Sequence, residues 1–190
     1  MIMKKILLLA VVMFASLNAS AQFYVGGSVG FGSVKPTGGS DSEFTFRILP
    51  EFGYNLNDDW AIGIILGYQK GFPFEGQNLG KGDFNTQYQY SKTEIFQISP
   101  YARYTAIGWD QVKLFFDGGI TFGSFKDAGT LFSLGIRPGL AINLTDELSF
   151  VTHIGFLGFE NYSPKGEGKS GNNFGLDLSN SCSFGVYYNF

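Results

Sequence analysis

Seven ionisable side chains, Arg47, Glu51, Arg103, Lys113, Asp117, Arg137 and Asp177, stand at positions that two-residue alternation would turn to one side. Such a mixture of carboxylates and cations does one of two things inside a narrow enclosure. It forms a charged constriction that selects solutes, or a salt-bridged network that fills the space. Buried charges must be paired, so the filled network is the reading expected here. Symmetry about the intervening turns sets Asp117 opposite Arg137 and Arg103 opposite Lys113; the second, like-charged pair then needs a carboxylate such as Asp117 close by. His153 is the only histidine. It has the chemistry of a general base or metal ligand, yet no Ser–Asp–His set accompanies it and Val151 shares its face, so no catalytic role is expected. Gly166-Glu167-Gly168-Lys169-Ser170-Gly171 contains a GxGxxG and the end of a phosphate-binding loop. Ser163 replaces the first glycine and a strand follows, whereas phosphate cradling needs strand, loop and helix in that order. It reads as an external loop. Cys182 stands alone, which excludes an internal disulfide and a multi-cysteine metal site; it reads as a small lipid-facing hydrophobe. No cofactor or metal is expected.

What must position these residues is a set of strands. From residue 22 onward the apolar period is two, not 3.6. Eight segments show it: 23–34, 44–54, 60–72, 93–104, 112–124, 130–144, 148–159 and 174–190. In the first, Phe23, Val25, Val29 and Phe31 oppose Tyr24, Gly26, Ser28, Gly30 and Gly32; in the last, Phe174, Leu176, Leu178, Cys182, Phe184, Val186, Tyr188 and Phe190 oppose Gly175, Asp177, Ser179, Ser181, Ser183, Gly185 and Asn189. The seventh is less clean, with Leu148, Phe150, Ile154 and Phe156 set against Val151, His153 and Gly155. Short links (55–59, 105–111, 145–147) alternate with mostly longer polar ones (35–43, 73–87, 126–129, 160–172). Pro50, Pro100 and Pro138 recur in similar strand segments and mark bulges or bends, since each removes a ladder donor.

Composition decides which face points inward. Charged residues are 15% of the chain, against roughly 25% in a typical soluble protein. The excess lies in 27 Gly and 21 Phe, and the net charge of −3 excludes a basic nucleic-acid binder. An eight-stranded barrel has an interior just wide enough for side chains. The large apolar set would overfill it, while the Gly/Ser-rich set with a few charges fits. The apolar faces therefore point outward into lipid. Phe23, Tyr54, Trp60, Tyr104, Trp109, Tyr188 and Phe190 form an aromatic girdle near the short-turn end. The expected fold is all-β, an eight-stranded antiparallel up-and-down transmembrane barrel over 22–190. Before it, Lys4 and Lys5, an apolar run over 6–17 and Ala19-Ser20-Ala21 read as a cleaved secretory signal peptide, 1–21.

These residues together resemble the small outer-membrane β-barrel proteins of Gram-negative bacteria, in the broad porin-family group with an outer-membrane β-barrel domain. The resemblance is carried by the Ala19-Ser20-Ala21-Gln22 junction, the strand-proline segments such as Gly135-Ile136-Arg137-Pro138-Gly139-Leu140, and the terminal Phe184, Val186, Tyr188 and Phe190. It implies an integral outer-membrane location, lipid as surroundings, and a C-terminal strand read by the barrel-assembly machinery through those four residues. The family has no shared substrate or catalytic motif. The function expected is a non-enzymatic barrel, porin-like in family, with a narrow or plugged lumen and surface loops; loops 73–87 and 160–172 are where an extracellular ligand would bind. The alternatives are a barrel that passes small hydrophobic molecules sideways through its wall, thinned at Gly27, Gly118 and the strand prolines, and, last, a lipid-modifying enzyme.

Overall fold

Phe, Ile, Val and Tyr favour extended backbone, and Gly at this density opposes a helix. The computed structural model describes residues 22–34, 42–70, 94–166 and 170–190. In them the chain forms β1 (Phe23–Val34), β2 (Glu43–Asn55), β3 (Trp60–Lys70), β4 (Glu94–Gly108), β5 (Val112–Phe125), β6 (Gly129–Asn143), β7 (Leu148–Pro164) and β8 (Gly171–Asn189). Each strand pairs with the next, and β8 returns to β1 to close an antiparallel barrel. This is the eight-stranded up-and-down architecture that the alternation predicts. The expected signal peptide 1–21, the loop 73–87 and residues 167–169 of the glycine-rich motif lie outside the described residues.

The strands outrun their hydrophobic pattern. Glu160 pairs with Asn173 and Tyr162 with Gly171, so most of the expected loop 160–172 is strand. β4 likewise continues to Gly108, shortening the link 105–111 to Trp109–Gln111. Ladder bonds are made by the main chain, and polar side chains carry them beyond the apolar band as readily as apolar ones do. The short turns are tight: Asn57 Oδ1 accepts from the Asp59 amide at 3.0 Å and the Trp60 amide at 2.8 Å, closing the β2–β3 link.

Alternation places the two faces as expected along most of the barrel. Ile62, Phe96, Phe122 and Leu134 are exposed on the outside, while Ala61, Gln97 and Ser133 are buried within. β7 departs from the expected phase. Gly155 takes a φ of +81°, and the register with β8 slips between Ile154 and Phe156. The inserted residue resets the alternation, so Phe156 is buried and Leu157 exposed, the reverse of the phase read from sequence. The prolines act unequally. Pro138 lies inside a register shift between Ile136 and Gly139, whereas Pro50 still aligns with Gly27 and Pro100 with Ile64 without any shift.

Inside, large rings lie over glycines of neighbouring strands. A Cβ on Gly53 would overlap the Tyr24 ring, one on Gly63 the Tyr101 ring, one on Gly26 the Tyr187 ring and one on Gly139 the Phe115 ring. This alternation of large and absent side chains is how a small barrel fills its taper. An apolar layer of Tyr24, Ala61, Phe115, Val151 and Tyr187 lies on the short-turn side, and Ile95, Phe125 and Leu131 form another near the loops. Glu51, Arg103 and Asp117 lie between them. One seam differs from the rest: among the described residues β1 and β8 align only from Tyr24–Asn189 to Gly27–Val186, while β5 and β6 align from Val112–Ile142 to Phe125–Gly129.

Candidate functional site

The parity of six strands aims Tyr24, Glu51, Tyr101, Arg103, Asp117, His153 and Tyr187 at one level of the lumen. Arg103 is the hub. Its Nε donates to Asp117 Oδ1 at 2.7 Å and an Nη to Oδ2 at 2.8 Å, a bidentate pair across the β4–β5 ladder. The same Nη lies 3.3 Å from Glu51 Oε1 and 3.3 Å from the Tyr187 hydroxyl. Tyr101 donates to Glu51 Oε1 and Tyr187 to Glu51 Oε2, so the second carboxylate is also held from two sides. His153 Nε2 is 2.8 Å from Asp117 Oδ2. The guanidinium also lies over the Phe115 ring, 4.0 Å from its centroid. Asp117 is fully buried, and Arg103 and Glu51 nearly so. Charges in that setting persist because each is met by opposite charge or hydrogen bonds.

The seven sequence-singled residues do not all meet here. Arg103, Glu51 and Asp117 do. Arg137 lies opposite Asp117 in the β5–β6 register, as hairpin symmetry predicts. Arg47 sits on β2 beyond this level toward the loops, across from Gln69. Lys113 does not face Arg103: it pairs with Gly108, and Asp117 takes the place opposite Arg103. The reason is the turn. The β4–β5 hairpin pivots about Trp109–Gln111 and carries a bulge between Thr105 and Ile107, which moves the register from the symmetric expectation. Asp177 lies opposite Phe156 in the backbone ladder; its side chain, like that of Cys182, lies outside the described residues. Four members lie outside the seven: Tyr24, Tyr101 and His153, which alternation turns inward without placing them in a network, and Tyr187. His153 lacks a sequence neighbour that predicts Asp117, because the two meet only through barrel closure. Tyr187 shares the odd parity of Gly185 and Asn189, and that parity alone was enough to find it.

On the short-turn side of this network the lumen opens into a vestibule of about 370 Å³ whose walls include Asn55, Asp59, Lys113, Asn143, Ser149 and Asn189. Arg103, Phe115 and Tyr187 form its floor. Among the described residues no three His, Cys, Asp or Glu side chains are placed to hold a metal ion.

A family model, outer membrane protein beta-barrel domain, matches residues 6–190. The chain belongs to the outer membrane protein β-barrel domain family. It is an integral protein of the outer membrane, as the residues carrying the resemblance imply. Among solved structures it is similar to Neisserial surface protein A (NspA), with 16% identity, 90% of this chain and 98% of that one covered, and a TM-score of 0.49. It is also similar to outer membrane protein W of E. coli, with 13% identity, coverage of 92% and 100%, and a TM-score of 0.47. No curated protein has a matching sequence.

In this outer-membrane barrel the short turns face the periplasm, as is general for the class, so the vestibule opens inward. Trp60 and Tyr104 pack at 4.9 Å between centroids, Phe23 and Tyr54 at 4.7 Å, and Tyr188 and Phe190 at 5.0 Å. These pairs lie around the periplasmic end, where the girdle is expected. Phe184, Val186, Tyr188 and Phe190 all face outward on the closing strand.

Proposed function

We propose that this barrel is a non-enzymatic outer-membrane protein whose lumen is closed along its axis. The observation that carries the reading is Arg103, which ties β4 to β5, β2 and β8 across the lumen through Asp117, Glu51 and Tyr187. An ion travelling the axis would have to break a bidentate charged pair in a water-poor setting, at a cost that vestibule-side solvation does not offset. The Asp117–His153 pair supports no catalytic reading: its members are buried and Asp117 is committed to Arg103. The barrel then serves as a membrane-embedded scaffold, with outward loops presenting to the medium and the C-terminal residues Phe184, Val186, Tyr188 and Phe190 engaging the assembly machinery. Planar-bilayer recording of the pure, heat-modifiable protein tests the closure. Silence is expected; stable ion-sized conductance steps abolish the reading.

A further inference from the structure

The barrel wall is unevenly closed. β1 continues to Val34 and β8 begins at Gly171, yet among the described residues they align over four pairs only, all at the periplasmic end. The strands part at Gly27. Its φ is +148°, and a Cβ there would press on the Leu49 carbonyl oxygen, so glycine alone lets β1 bend away without strain. Past this point the facing edges of β1 and β8 carry main-chain groups with no cross-seam ladder, a costly state in hydrocarbon. The three most exposed large hydrophobics of the described chain, Phe31 (79%), Phe174 (74%) and Val29 (71%), all stand on these two strands.

Directly behind the gap is a cavity of about 20 Å³ bordered by Ser28, Glu51, Arg137, His153, Ser183 and Gly185. A single water needs about 10–15 Å³ of such space, so the cavity takes one hydroxyl-sized group and excludes a phosphate. Its wall carries both a carboxylate, Glu51, and a guanidinium, Arg137, so charge favours neither an anionic nor a cationic head. Apolar flanks outside and a small hydrogen-bonding pocket inside define the ligand by shape and charge.

We propose that the loop-side part of the β1–β8 seam is a lateral port for a single-chain amphiphile with an uncharged hydroxyl head. The chain lies in the membrane against Val29, Phe31 and Phe184, and the hydroxyl enters among Ser28, Ser183 and His153. This is independent of axial closure: a plugged barrel can be open at its side.

The test uses the full barrel in phosphatidylcholine vesicles and a photoactivatable diazirine derivative of 1-dodecanol, with adducts mapped by mass spectrometry. Labelling is expected on residues 28–31 and 183–186, about tenfold above the outward residues of β5 and β6, the ratio that one good hydrogen-bonded group supplies. Excess 1-dodecanol displaces it. Ser28→Phe fills the cavity and removes it, while Ser28→Ala, the milder change, weakens it; heat-modifiable mobility verifies folding of both. Even labelling around the barrel, undiminished by competitor or by either variant, overturns the port. A conducting barrel labelled at the seam would sink the axial plug and leave the port standing; a silent barrel labelled evenly does the opposite.

Discussion

Arg103 is where a single side chain has the largest leverage. Arg103→Met leaves Asp117 and Glu51 buried without their cation, so a loss of about 3–5 kcal/mol is expected, read from the urea midpoint in lipid vesicles. Replacing both partners of the main pair, Arg103→Met with Asp117→Leu, removes one of the two orphaned charges and restores part of that loss. If the single variant unfolds like the parent, the network is not what holds the lumen. Gly53 makes the complementary point by having no side chain. Gly53→Val must displace the Tyr24 ring, an overpacking expected to cost about 1–3 kcal/mol in the same assay. A parent-like midpoint would mean the lumen has slack that the packing of rings over glycines does not show.

At the scale of a strand, the phase break in β7 is the instructive element. Gly155 at φ +81° is a conformation that L residues reach only with strain, so Gly155→Val is expected to cost about 1–2 kcal/mol. It should also return Phe156 toward lipid. Bromolipid quenching of a Trp placed at 156 reports this: shielded in the parent background, quenched in the Gly155→Val background. Equal quenching in both would contradict the bulge as the cause. The same element shows what the sequence makes legible. Strict alternation predicted seven strand faces because side-chain period is a property of the residues themselves. It failed in β7 because one extra residue inverts everything after it, and nothing in the side chains of Gly155 and Phe156 announces which glycine will adopt a positive φ. The Lys113–Arg103 expectation failed for a related reason: register depends on turn length and on the Thr105–Ile107 bulge, both main-chain matters. Asp117 against Arg137 succeeded because the turn at Lys126–Ala128 is short and symmetric.

For the molecule as a whole, inside and outside are exchanged relative to a soluble protein, and composition carried that plainly: Phe outward, Gly and Ser inward. Assembly should depend on the closing strand. Phe190 is partly exposed, and its amide donates to the Phe23 carbonyl at 2.9 Å. Because that bond is main-chain, Phe190→Ser is expected to leave the urea midpoint within about 0.5 kcal/mol of the parent. It should lower the heat-modifiable fraction recovered in cell membranes. Equal recovery in cells would detach Phe190 from assembly. The site was less legible than the fold because its members come from six strands, and proximity around a barrel is set by closure rather than by any local spacing.

With the lumen closed as proposed, the vestibule gives the barrel the form of a cup rather than a pipe, standing mouth-down in the membrane. Its floor is the Arg103 hub and its rim the periplasmic turns. Water and solutes around Lys113 are then continuous with the periplasm, and under that closure a change in the external medium would be felt there only after the periplasm itself has changed.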